Sequence, residues 1–166
     1  MAVTINGSAG VTTNSGAVYN GLQTDTAKSA TGTSVDFTGI PSWVKRVTVM
    51  FNGVSTTGIS AVLVQLGAGS VTTSGYLGSA NSANFTTGFS DGIANASALR
   101  HGAYTVQTLG GNVWQCAVTM GTSGVALSNT PGGFSISLGG TLDRVRITTV
   151  NGTDTFDAGT INIIYE

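Results

Sequence analysis

Residues 35–55 read VDFTGIPSWVKRVTVMFNGVS. Within them Val47, Val49 and Phe51 alternate with Arg46, Thr48 and Met50. A period of two over five or more residues places one set of side chains on a buried face and the other in water, which predicts a half-buried β-strand. Residues 142–166, LDRVRITTVNGTDTFDAGTINIIYE, carry a second such run, in which Val145 and Ile147 oppose Arg144, Arg146 and Thr148. Both runs meet an Asn-Gly pair, Asn52-Gly53 and Asn151-Gly152. Both residue types tolerate positive φ, so each dipeptide predicts a tight turn that ends its strand.

Outward from these two runs, more strands of the same kind appear. Residues 35–37 form a short strand that Pro41, lacking an amide donor, cannot continue. The apolar run AVLVQL at 61–66 has strand length. Short strands are expected at 76–78 and 84–89. GAYTVQTL at 102–109 alternates, and Gly110-Gly111-Asn112 predicts a hairpin into 113–122. Residues 121–133, with Pro131, read as a loop. FSISL at 134–138 and residues 144–150 and 160–165 complete the pattern. Residues 93–100, IANASALR, are the one stretch that reads as a helical turn. Eight to ten strands with turn chemistry between them predict an all-β antiparallel sandwich, jelly-roll-like, with an extended N-terminal arm.

The arm is residues 1–32, and the sandwich module is 33–166. The segment GSAGVTTNSGAVYNGLQTDTAKSATGTS is small and polar. It holds too few large side chains for a core of its own. It is either a flexible arm or a segment that docks on something else, by way of Val3, Ile5, Val11, Val18, Tyr19 and Leu22.

Composition narrows the function. Charged residues make up 8% of the chain, against about 25% in an average domain. The cations are Lys28, Lys45, Arg46, Arg100, Arg144 and Arg146, and they form no basic run. Nucleic-acid binding needs clustered cations, so no nucleic-acid partner is expected. Were the two alternating strands neighbours, Lys45, Arg46, Arg144 and Arg146 would make a small basic spot. Solvated faces balanced by Asp36 and Asp143 are the favoured reading. No apolar run approaches 18 residues, so membrane insertion is not expected. The first residues lack a charged n-region and a long apolar core, so they do not read as a signal peptide, and synthesis in a cytoplasm is expected. The sequons at Asn6, Asn84, Asn95 and Asn151 then follow from an Asn/Ser/Thr-rich composition.

Catalytic motifs do not appear. No paired-carboxylate, HExxH, GxSxG or phosphate-loop pattern occurs. Cys116 is the one cysteine, and alternation groups it with Trp114, Val118 and Met120 as a buried residue. A catalytic thiol would need a base, and the single histidine, His101, is not placed beside it by the sequence. Trp43 and Trp114 read as core anchors, with sugar-stacking platforms as the other reading. Asp143, Asp154 and Asp157 could hold Ca²⁺, but turn capping is favoured. No cofactor and no catalytic residue is expected.

Residues 36–67, DFTGIPSWVKRVTVMFNGVSTTGISAVLVQLG, and residues 142–166 closely resemble bacteriophage virion proteins of the tail fibre type. In those proteins this module sits at the C-terminal end. The resemblance spans about residues 33–166 and is looser over 68–141. It implies a β-sandwich on the virion surface, a homotrimer. With the composition of the arm, an attachment module would contact other virion proteins through that arm and a host surface glycan or protein through its loops. The loops at 67–75 and 121–133 are the expected contact surface. One departure stands out: such proteins usually carry a long shaft before the module, and only about 33 residues precede it here. A capsid decoration protein, clamped to the phage head by the arm, is therefore the alternative.

Overall fold

The computed structural model describes residues 21–125 and 129–166, and three short strands among the first 20 residues; side chains are described for 21–125 and 130–166. Those three, β1 (Thr4–Asn6), β2 (Gly10–Thr12) and β3 (Val18–Tyr19), pair antiparallel in a sheet of their own. From residue 23 the chain builds two facing sheets. Through the first half run β4 (Gln23–Thr24), β5 (Lys28–Ser29), β6 (Val35–Thr38), β7 (Arg46–Thr56), β8 (Val62–Ala68), β9 (Ser70–Val71) and β10 (Leu77–Ala80). Then come β11 (Ala83–Asn84), β12 (Phe89–Ser90), β13 (Leu99–Gly110), β14 (Val113–Ser123), β15 (Asn129–Ser137), β16 (Arg144–Thr149) and β17 (Phe156–Tyr165).

The large sheet has the order β11-β10-β15-β14-β13-β7-β17-β4, with β5 also on β17. The small sheet has the order β12-β8-β16-β6, with β9 also on β8. Every pairing is antiparallel, so the predicted all-β sandwich is what the chain forms. The alternation supplies the inner faces. Val47, Val49, Tyr104, Val106, Cys116, Val118, Ile161 and Ile163 come from the large sheet, and Phe37, Val62, Val64, Leu66, Val145 and Ile147 from the small one; together they form one core. Each large aliphatic or aromatic side chain so buried contributes about 1.5–3 kcal/mol.

Four expectations are corrected. The first is Asn52-Gly53, which does not end its strand. Both neighbours of β7 run on past it, and Gly53 is accommodated as an extra residue at φ 65°. Opposite it Arg100 pairs with Val54 and His101 with Asn52, a β-bulge. The bulge shifts the inward phase from Val47, Val49 and Phe51 to Val54 and Thr56, all buried. β17 bulges alongside, at Gly159 (φ 90°). At Asn151-Gly152 the turn does form, with Gly152 at φ 68° and its N–H on the Thr149 carbonyl at 3.0 Å.

The second is residues 93–100, which are a loop running into β13 rather than helix. The Arg100 guanidinium takes the Ile93 and Ala98 carbonyls, and the Ser97 N–H goes to the Asn95 side chain at 2.9 Å. Those groups are then lost to a helical ladder. The third is residues 121–133, where strand continues through Ser123 and resumes at Asn129, with Pro131 inside β15. β10 reaches only as far as Gly132, so Pro131 has a paired neighbour on one side alone.

The fourth is the arm boundary. β4 and β5 extend the large sheet along β17, Gly32 bridges to Phe156, and Ala30 is in the core. An edge strand pairs on one side through its backbone and needs no apolar alternation, so this stretch left no periodic signal.

Candidate functional site

A depression of about 350 Å³ lies on the outer face of the small sheet. Its floor comes from cross-strand register: Gln65 lies opposite Arg146, and Leu63 opposite Thr148, on β8 and β16. Alternation points Val62, Val64 and Leu66 inward, so Leu63 and Gln65 face outward, yet both are buried. A strap at residues 86–88 covers them. It passes so close that a Cβ on Gly88 would lie 3.1 Å from Gln65 Cγ and 3.2 Å from Leu63 Cβ.

The walls come from separate segments. Thr33 and Ser34 rise on one side, Thr73 and Thr87 on another, and the Asn151-Gly152 turn closes an end. Each wall is tied by a side chain. Gln65 donates to the Thr87 carbonyl at 2.7 Å, and the Thr148 hydroxyl donates to the Thr33 carbonyl at 2.9 Å. Asp154 holds the turn, accepting from the Asn151 amide at 2.7 Å and the Ser60 N–H at 2.9 Å. These two donors hold the Asp154 carboxyl below the usual carboxylate range. Arg146 is the cation of the groove, and its Nε and Nη2 lie on Asp36 at 2.7 and 2.9 Å.

Beside the groove, the β8–β9 hairpin forms the loop expected as a contact surface at 67–75. Tyr76 staples it from below: its hydroxyl accepts the Leu66 N–H at 2.8 Å and donates to the Thr72 carbonyl at 3.0 Å. Burial pushes the Tyr76 phenol up to about 12.

A second feature lies inside the sandwich. Asp91 and Arg100 are fully buried and paired, Nε to Oδ2 at 2.5 Å. Asp91 Oδ1 also accepts the Ile93 N–H at 2.9 Å, and Arg100 Nη2 donates to the Ile93 carbonyl at 2.7 Å. Burial pushes the Asp91 carboxyl up, while Arg100 and the Ile93 and Val62 amides pull it back down. Tyr104 lies against the pair, and its buried hydroxyl has no hydrogen-bond partner among the described residues. The pair has no access to solvent and locks the loop into β13. Sequence reading did not find it. The signal was two charges nine residues apart among apolar residues, in a chain that has few charges.

The remaining expected residues fall as follows. Cys116 faces the core and burial pushes its thiol up, whereas His101 projects from the opposite face of the large sheet, its Nε2 3.0 Å from Ser123 Oγ. The two do not meet. Trp114 is buried, as expected of a core anchor, and Trp43 is half-buried against Tyr165, ring centroids 6.0 Å apart. Neither lines the groove.

The four strand cations are split between the sheets. Arg46 pairs with Glu166, Arg144 with Asp143 at 2.7 Å, and Arg146 with Asp36, and Lys45 is exposed just before β7, so the four form no basic spot. Asp154 serves its turn, Asp143 also accepts the Gly69 N–H, and Asp157 accepts from the Ser55 hydroxyl. Of the arm residues, Val3 lies outside the described residues. Ile5, Val11, Val18 and Tyr19 lie in β1–β3, where side chains are not described, and Leu22 is 60% exposed. Among the described residues no helix is long and apolar enough to cross a membrane.

No family model, no curated protein and no solved structure matches the chain.

Proposed function

We propose that the chain is a non-enzymatic bacteriophage virion surface protein, a tail fibre or tip-type module for host attachment. The observation that carries this reading is the resemblance of residues 36–67 and 142–166 to tail fibre proteins. It gains support from where those blocks lie. β16 inserts between β6 and β8, and β17 pairs along β7, so the two blocks interlock in both sheets. The resemblance thus follows one structural unit rather than scattered segments. The seven carboxylate side chains are each engaged in a turn, an ion pair or a hydrogen bond within the fold, which favours recognition over turnover.

In this reading the module is a homotrimer on the virion surface, joined to other virion proteins through its first residues, with a host glycan or protein as its partner. Light scattering at micromolar concentration then gives about three times 16.6 kDa; a monomer mass refutes the trimer. Antibody labelling of intact particles tests the location. Label at the tail tip supports attachment, and label spread over the head replaces it with capsid decoration. Polysaccharide cleavage lost on mutating a carboxylate pair would overturn the non-enzymatic assignment.

A further inference from the structure

We infer that the groove on the small sheet binds a sugar unit of a neutral glycan. Its lining decides the ligand chemistry. Thr33, Ser34, Thr73 and Thr87 present hydroxyls that make no hydrogen bond among the described residues. Gln65 spends its amide N–H on Thr87 and keeps Oε1 as an acceptor. Arg146, with Asp36 on its Nε and Nη2, brings Nη1 but little net charge. Donors and acceptors are therefore interleaved around a neutral space.

An anion would meet a guanidinium already neutralised by Asp36. A cation would meet no carboxylate in the lining, and an apolar ligand would strand the hydroxyls without partners. A polyol suits the site, because each of its hydroxyls both donates and accepts. The volume, about 350 Å³, is at the small end of the roughly 300–1,000 Å³ of ligand pockets and has room for a hexose. The walls are already fixed by Gln65, Thr148 and Asp154, so little ordering is needed on binding. No aromatic ring lines the groove, so single-site affinity is weak, and several copies on one particle supply the avidity.

The inference rests on the attachment reading for the source of the ligand, a bacterial surface glycan; the site itself rests on the geometry. The test is a titration of the full chain with glucose, galactose and N-acetylglucosamine, with glucuronate as the anionic control, followed by backbone amide NMR shifts. Neutral sugars are expected to shift the amides of Thr87, Thr148 and Asn151, with a dissociation constant on the order of 1–10 mM. Ser34→Trp, which fills the groove, is expected to abolish the shifts. Thr87→Ala, which removes one hydroxyl and leaves the fold intact, is expected to weaken binding several-fold. No saturating shift with any neutral sugar, shifts confined to residues elsewhere, or binding of glucuronate alone overturns the assignment. Host adsorption separates the two readings. Sugar binding with adsorption untouched by Ser34→Trp upholds the groove and sinks the attachment role. Silent titrations with label at the tail tip do the reverse.

Discussion

At the scale of single residues, the buried Asp91–Arg100 pair has the largest expected effect. Removing one partner leaves an uncompensated charge in the core, whereas replacing both by apolar groups is often neutral. Asp91→Ala is therefore expected to cost about 3–5 kcal/mol, read as a shift in the denaturant midpoint at unchanged slope. Asp91→Leu combined with Arg100→Met should regain most of that loss; if the double variant is as unstable as the single, the pair is not the reason. Asp154 gives a pH-dependent counterpart. Its folded pKa is depressed below its unfolded value, so the stability it confers is present above about pH 4 and is lost as pH falls through the folded value. Melting wild type and Asp154→Ala from pH 7 to pH 2 should show a gap that closes on the acid side. The carboxylate fits there because residue 58 is glycine: a Cβ at Gly58 would lie 2.1 Å from Asp154 Oδ2.

At the scale of elements, the paired bulges in β7 and β17 separate two reasons for a glycine. Gly53 needs its positive φ but has space, since a Cβ would meet nothing nearer than His101 at 3.8 Å. Gly159 needs both, because a Cβ there would lie 2.5 Å from the Gly53 carbonyl carbon. Gly53→Ala is expected to cost about 1–2 kcal/mol from the left-handed backbone alone, and Gly159→Ala clearly more. Equal losses in urea unfolding would mean that the contact between the bulges is not tight. The same elements show what sequence could reveal. Alternation located β7, β13, β14 and β16 because each has one wet face and one dry face. It misjudged Asn52-Gly53, since a dipeptide that permits a turn cannot report that neighbours on both sides hold the strand straight. In β8 the continuous run was legible as strand. The burial of Leu63 and Gln65 on its outer face was not, because the strap that covers them is more than twenty residues away in sequence.

At the scale of the whole molecule, the sandwich was readable from strand spacing and turn residues, while the groove was not. Its walls are Ser and Thr residues from distant segments, in a chain where such residues are everywhere. The extent of the body was also hidden, for β4 and β5 join the large sheet through backbone pairing without an apolar alternation. Deleting residues 1–20 should therefore leave the melting temperature within a few degrees. Deleting residues 1–32 should lower it markedly, because it uncovers β17 and removes Ala30 from the core; indistinguishable melts would return β4 and β5 to a dispensable arm. The antiparallel closure of β4 on β17, with Gln23 opposite Tyr165, also brings the start and finish of the body to one corner. Tension applied between them runs as in a zipper: hydrogen bonds break singly rather than sharing the load. In a force clamp pulled by its two ends, the chain should first release residues 21–32 in a small low-force step of about 4 nm, well before the core yields. A body tethered at one end alone, and gripped elsewhere, would never feel that weak seam.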